Sequence, residues 1–423
     1  MIKSLSIRQK KYEEVSKTRQ IVLGVVFILI GILIHFVFTS KVDASMVTTF
    51  GLNPGGQEKI LPDWQLNSYY TLLGFSIACV ILGIFQIFYG LKRWANLVLG
   101  ILIGLFVFGF LIWGAAGKSL NLEGLLMTTI QRAVPITLGA FAGILCEKSG
   151  VVNIAIEGMM LAAALAATVV GSLTHNLFIG LAAGMLTGML MAWLLAVLSI
   201  KYKTNQIIAG TVINIFAIGF TSYISTRFLD IFQFLNNPST FPIWKIPLLE
   251  KIPILGPVFF QNTIFVFSML ILMVVIHIAL NKTRWGLRVR AVGEHPKAAD
   301  TLGINVFRTR YVAVLLGGLV AGMAGSFFTL GSVGRFDKLM TAGKGFIGLA
   351  AMLFGNYTPV GSFGAGMLFG FADSLGTRLS ILNVPIPSDF LLMAPYIATM
   401  ILLAGVVGKS TPPAADGVPY EKE

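Results

Sequence analysis

The feature that most constrains this chain is a succession of long apolar runs, each bounded by charges or turn residues. A hydrocarbon core of about 30 Å is crossed by roughly 20 apolar residues in a helix, and lipid admits only elements that satisfy their own backbone. Twelve runs reach or approach that length: 20–38, 69–91, 97–116, 125–145, 154–172, 177–199, 206–228, 262–280, 310–330, 345–356, 363–380 and 388–407. They predict an all-α, polytopic membrane helix bundle of about 12 transmembrane segments. The run 345–356 is short and ends in Asn356-Tyr357-Thr358-Pro359, so a tilted, broken or re-entrant segment is the alternative to a span. Composition agrees, at 56% hydrophobic and 12% charged, where a soluble domain has about a quarter charged.

The net charge of +13 could mean a nucleic-acid surface or a cytoplasmic loop bias. With the N-terminus inside, the inner segments are 1–19, 92–96, 146–153, 200–205, 281–310 and 408–423, and 20 of the 31 Lys and Arg fall on them. Eight, Lys344 among them, fall on the opposite side, and Arg132, Arg227 and Arg378 lie in or at the ends of spans. This predicts N-in and C-in, and it disposes of nucleic acid, because the charge is spread over every inner loop. The first 19 residues are too polar for a cleaved signal and no A-x-A site follows residue 38, so the first span reads as a retained anchor in the plasma membrane.

Catalytic and metal sites are not predicted. Cys79 and Cys146 sit in or at the ends of apolar runs, and His35 and His277 are lone histidines without a second ligand at metal spacing. Two strings, Gly114-Ala115-Ala116-Gly117-Lys118-Ser119 and Gly405-Val406-Val407-Gly408-Lys409-Ser410, resemble the end of a phosphate-binding loop. Ile112 and Leu403 stand where that loop needs its first glycine, and both strings merely end spans. Active transport would therefore draw ATP hydrolysis from another polypeptide.

Residues 1–116 read as an extension of about three spans with a polar loop at 39–68, and 117–408 as a denser core. In the core, glycines recur at four-residue spacing: Gly139/Gly143, Gly180/Gly184/Gly188, Gly318/Gly322 and Gly366/Gly370. That spacing bares one helix face for close packing, within the chain or against another subunit. Residues 409–423 form a tail on the inner side.

The largest inner loop, 281–310, predicts a short helix at 296–302. Pro296 suits its first turn, Lys297 to Leu302 suit its body, and Gly303 ends it. Arg288, Arg290, Arg308 and Arg310 flank it. The string from Arg290 to Ile304, with Gly293, Glu294, Pro296, Ala298, Ala299 and Gly303, resembles the loop of ABC importer permeases that couples to the ATP-binding subunit, in the branch serving ribose-like sugars, branched-chain amino acids and nucleosides. Lys297 stands where other branches have Glu. The stretch from Cys146 to Met160 and the turn from Phe354 to Gly361 are similar to two further signatures of that branch, most like the second permease of bacterial nucleoside importers.

This resemblance, over about 125–407, implies a permease subunit without its own catalytic site or cofactor. The partners it implies are an ABC ATP-binding subunit, a second, similar permease, an extracellular substrate-binding lipoprotein, and a nucleoside or, as the alternative, a simple sugar. A stand-alone secondary transporter is the rival from another class, weakened by the lack of a charged relay beyond Glu157 and Asp373. A membrane transferase would need clustered Asp or His, which are missing. Polar groups are costly in lipid and so are candidates for the substrate path: Gln131, Asn153, Glu157, Asn214, Asp373 and Ser374, with Phe328 as a stacking ring and Asn356 in the signature turn. Helix packing is the competing role for each. Asp373 and Arg378 stand five apart, which is not a helical pairing distance.

Overall fold

The computed structural model describes residues 17–53, 61–382 and 411–422, with the isolated positions 384, 390 and 393. Among these, nine helices are long and apolar enough to cross a membrane. The chain divides into two compact units, 1–122 with 381–385, and 123–380 with 386–423.

The first unit holds α1 (Lys17–Leu33), α2 (Ser68–Phe88) and α3 (Ala95–Gly114). Its helices pack through glycine: a Cβ at Gly31 would stand 2.8 Å from the Ser76 carbonyl oxygen, and one at Gly83 would stand 2.9 Å from that of Gly24. Bare backbone lets α1 and α2 approach where no hydrophobic effect draws helices together. Strands β1 (Val47–Gly51), β2 (Trp64–Asn67) and β3 (Ser119–Asn121) form a sheet in the order β2-β1-β3. β1 runs antiparallel to β2, with Val47 opposite Asn67, and parallel to β3, with Thr49 opposite Ser119. The all-α expectation is corrected to that extent: the chain is mostly helical, with small sheets in its loops. Residues 114–119 form the turn from α3 into β3, so no strand precedes Gly117-Lys118.

The second unit contains α4 (Leu122–Glu147, from Glu123), α5 (Ile156–Thr174), α6 (Leu177–Ala196) and α7 (Gln206–Ile224). A two-stranded pair, β4 (Trp244–Lys245) with β5 (Gln261–Asn262), precedes α8 (Ile264–Lys282). Then come α9 (Arg284–Glu294), α10 (Pro296–Thr301), α11 (Val306–Ser326), α12 (Lys344–Phe354) and α13 (Pro359–Ile381). In α4 and α5, 89% and 78% of the most apolar stretch is buried, against 28% in α8. The first two are therefore central, while α8 keeps an apolar rim for lipid.

All four glycine stripes are covered by helices of the same chain. Gly188 of α6 lies against Gly318 and Gly322 of α11, where an added Cβ would stand 2.6 Å from the Gly322 Cα. Gly139 and Gly143 of α4 face Gly348 and Met352 of α12, and Gly366 and Gly370 of α13 face Thr137, Thr129 and Ala133 of α4.

The contacts also fix direction. Along α12, Gly348 meets residues 136–140 of α4 and Met352 meets Gly143, so the two helices run the same way; along α13 the order reverses. The α12–α13 pair is a hairpin turning at 355–358, where Asn356 and Tyr357 adopt positive φ of 51° and 54°. At 11 residues and about 1.5 Å per residue, α12 covers roughly half a hydrocarbon core. Of the twelve expected runs, nine coincide with these long apolar helices and one is the short α12. A further run is α13, which has the length but carries Asp373 and Arg378. The run 388–407 and the string 405–410 lie outside the described residues, apart from positions 390 and 393.

Candidate functional site

α4, α12 and α13 together bring the side chains of Arg132, Lys344 and Asp373 to one place in the second unit. Asp373 Oδ2 accepts from Lys344 Nζ at 2.7 Å and from Arg132 Nη1 at 3.0 Å. Two cations share one carboxylate oxygen, so the cluster carries a net charge of about +1, which is costly to hold in lipid unless water or a polar partner reaches it. The Asp373 side chain is 10% exposed, while that of Arg132, near the middle of α4, is 42% exposed. A guanidinium so placed is poorly satisfied by lipid alone. Ser374 lies against Thr128 and donates to the Leu125 carbonyl at 3.3 Å, and half-buried Gln131 adjoins Arg132. The partner of Asp373 is therefore not Arg378, whose Nη2 bonds the Gly124 carbonyl. Lys344, expected on the side opposite the inner segments, begins α12; the only sequence signal for it was its position at the start of an apolar run.

Glu157 acts on the start of α12 from another helix. Its Oε1 accepts from Thr341 Oγ1 at 2.6 Å and from the Gly343 N–H at 2.9 Å, and its Oε2 from the Gly345 N–H at 2.7 Å. A helix N-terminus presents unpaired N–H groups and positive dipole, and a buried carboxylate satisfies both. A Cβ at Gly345 would stand 2.7 Å from the Glu157 Cα, so only glycine allows this approach. Asn214 joins α7 to the start of α5, its Oδ1 accepting from Gly158 N–H at 2.7 Å and its Nδ2 donating to the Ile154 carbonyl at 2.9 Å. Asn153, fully buried, accepts from Ala155 N–H at 3.1 Å and donates to Cys146 Sγ at 3.3 Å. These three polar groups brace the cluster's supports and do not join it. Phe328 is half-buried against the core beside Phe327.

Asn356 lies at the end of the unit that also carries α9 and α10, where its Oδ1 accepts from the Thr411 N–H at 3.0 Å. There α10 starts at Pro296 and stops before Gly303, whose φ of +79° favours glycine. Gly293 packs on the Lys148 carbonyl, Arg290 is half-buried, Ala298 is exposed and Ala299 is buried. Leu302, 81% exposed, projects beyond α10 as an apolar knob. Glu294 accepts from the Ala414 N–H at 3.1 Å. Beneath the loop, burial lowers the Lys148 ammonium and raises the Tyr357 phenol, the ammonium lying 5.3 Å over that ring. Burial also pushes the Asp416 carboxyl, which faces Glu147, up to about 6.

At the opposite end of the unit a cavity of about 600 Å³ is lined by Asp230, Gln233, Asn236, Arg335, Asp337 and Lys338, among others. Ion pairs Lys338–Asp230 at 3.3 Å and Arg335–Asp337 at 3.2 Å rim it. Among the described residues no group of His, Cys, Asp or Glu is arranged to hold a metal.

Comparison with known proteins adds to this geometry. Residues 125–406 match the family described as branched-chain amino acid transport system / permease component. The guanosine ABC transporter permease protein NupQ of Bacillus subtilis is 38% identical over 303 residues, covering 70% of this chain and 95% of that one. The nucleoside ABC transporter permease protein NupC of Lactococcus lactis is 37% identical over 300 residues, 69% of this chain and 94% of its own. A putative glucose ABC transporter permease protein of Haloferax volcanii is 33% identical over 265 residues, 62% and 79% of the two chains. No solved structure matches the chain.

Proposed function

The chain belongs to the family of permease components of branched-chain amino acid transport systems, and from that premise we propose that it is the membrane subunit of an ABC importer of nucleosides in a bacterial plasma membrane. The observation that carries the substrate class is its similarity, over nearly their whole length, to permeases of guanosine and nucleoside transporters. In this reading the chain crosses the membrane about 12 times with both termini inside, 117–408 being the permease core and 1–116 an extension. A second permease completes the path. An ATPase docks on the 281–310 loop, with Arg290, Gly293, Glu294, Pro296, Ala298, Ala299 and Gly303 shaping the contact and Leu302 entering its surface. A substrate-binding lipoprotein docks at the opposite end, over the cavity beside Asp230 and Lys338.

The Arg132–Asp373–Lys344 cluster, with Gln131 and Ser374, lines the path. A nucleoside offers hydroxyl and carbonyl oxygens as acceptors and hydroxyl and amino groups as donors. The guanidinium and ammonium donate to the former and the Gln131 amide exchanges hydrogen bonds with the latter, while buried Ser374, its hydroxyl bonded to α4, holds α13 beside them. Asp373 keeps the cations from being too costly in the empty site. Glu157, Asn153 and Asn214 set the position of α12 and α5 and so act on the path indirectly. Simple sugars are the second reading, favoured by the Haloferax relative and by the hydroxyls that ribose shares with a nucleoside. Competition of unlabelled guanosine, uridine and ribose against labelled guanosine, on the complete reconstituted complex, separates the two. Competition by the nucleosides supports the proposal, and competition by ribose alone overturns it.

A further inference from the structure

The residues that follow the last apolar run have no part in the function proposed above, yet 411–422 are bonded on two sides. On one side the Ala415 N–H donates to the Gly293 carbonyl at 2.9 Å and the Ala414 N–H to Glu294 Oε2 at 3.1 Å, at the end of α9. On the other, buried Arg310 of α11 donates through Nη1 to the Val418 carbonyl at 3.1 Å and through Nε to the Ser149 carbonyl at 3.1 Å. Gly150, at φ +85°, leaves room for the Ala415 carbonyl, which a Cβ there would approach to 3.1 Å. Glu421 pairs with Lys203 at 2.6 Å, an exposed contact of small worth.

The centre of this docking is Tyr420. It is 6% exposed and forms a small apolar cluster with Val292 of α9, Ala299 of α10 and Val306 of α11, its ring 5.4 Å from that of Phe307. Six residues are far too few for a helix to hold itself in water, so α10 depends on tertiary support. Its one buried side chain is Ala299, and Ala299 rests in the Tyr420 cluster.

We propose that residues 411–422 are a positioning strap for the ATPase-facing helix: Tyr420 under Ala299, with the Ala415–Gly293 bond, fixes α10 on the inner ends of α4 and α11. A push on α10 then moves those helices and is not lost in a loose loop. The proposal rests on the preceding reading in taking α10 as the ATPase contact; the strap itself can be tested without it.

The test uses the full-length chain with its ATPase, second permease and binding protein, comparing wild type, Tyr420→Ala, Tyr420→Phe and a chain ending at Ser410. Two quantities are read: the rate of trypsin cleavage after Lys297, and ATP hydrolysed per nucleoside imported. Tyr420→Ala is expected to raise cleavage at least tenfold and the ATP ratio at least fivefold, with complex assembly retained, and Tyr420→Phe to restore both. Unchanged cleavage in Tyr420→Ala overturns the strap, as does faster cleavage with an unchanged ratio. Should the shortened chain fail to assemble, Tyr420→Ala decides alone. A wild-type complex that hydrolyses ATP without importing nucleoside refutes the transport reading, while cleavage still decides the strap.

Discussion

Replacing Glu157 by Ala removes the acceptor for three hydrogen bonds at once and leaves the Gly343 and Gly345 N–H groups without a partner at the start of a broken helix. A hydrogen bond to a charged group contributes about 1.5–3 kcal/mol, and each orphaned buried donor costs a further ~1–3 kcal/mol. The three bonds share one side chain and cannot be summed, so the expected loss is about 3–5 kcal/mol, the scale of breaking a buried ion pair. Glu157→Gln keeps a carbonyl acceptor but turns an amino group toward a donor, and should lose about 1–3 kcal/mol. Because Lys344 lies between the two capped amides, the same change loosens its bond to Asp373. Equilibrium unfolding in mixed detergent micelles, followed by tryptophan fluorescence, measures the stability difference. A loss under about 1 kcal/mol in Glu157→Ala, below the worth of one such bond, would show that α12 does not depend on this cap.

Three further outcomes follow from the geometry. Gly188→Ala places a Cβ 2.6 Å from the Gly322 Cα and should lower stability by about 2–4 kcal/mol in the same unfolding assay, whereas Gly104→Ala, with nothing within 4 Å, should be neutral or better. Asp373→Asn leaves Arg132 and Lys344 as neighbouring unpaired cations; assembled complexes should lose at least tenfold in uptake, and adding Lys344→Gln should recover stability but not uptake. If the pair recovers uptake as well, the cluster is packing and not path. Asp416 has its carboxyl raised by burial from an ordinary 3.8 to about 6. The docked tail thus binds a proton more readily than the free one, so docking weakens as pH rises from about 4 to about 6, by at most ~3 kcal/mol. Protection of Lys297 from trypsin, read against cleavage of an unstructured peptide at the same pH, should accordingly be greater at pH 5 than at pH 7.5 in wild type, and the difference should shrink in Asp416→Asn, which leaves the facing Glu147 in place.

What could be read from the sequence was what depends on runs of residues. Long apolar stretches disclose helices because lipid forbids alternatives, and Pro296 with Gly303 bounds a six-residue helix because both act locally. The short strands at Val47–Gly51 and Ser119–Asn121 gave no such signal, since their pairing joins segments about seventy residues apart. Glu157 was conspicuous as a carboxylate among apolar neighbours, but its partners are backbone N–H groups of a helix that starts in mid-bundle, which no side-chain pattern records. Asp373 was visible for the same reason; its offset from Arg378 excluded one partner without indicating Arg132 and Lys344, brought to it by the α12–α13 hairpin. Nothing in the polar run 411–422 distinguishes a docked tail from a solvated one, because what holds Tyr420 is the shape of a cluster drawn from α9, α10 and α11.

The most direct test of the central claim is uptake of labelled guanosine into proteoliposomes containing this chain, its second permease, the ATPase and the binding lipoprotein. The account predicts accumulation above the external concentration with ATP, and none when ATP is withheld or the ATPase is omitted. Equal accumulation by the chain without any ATPase would contradict it and indicate a stand-alone secondary transporter.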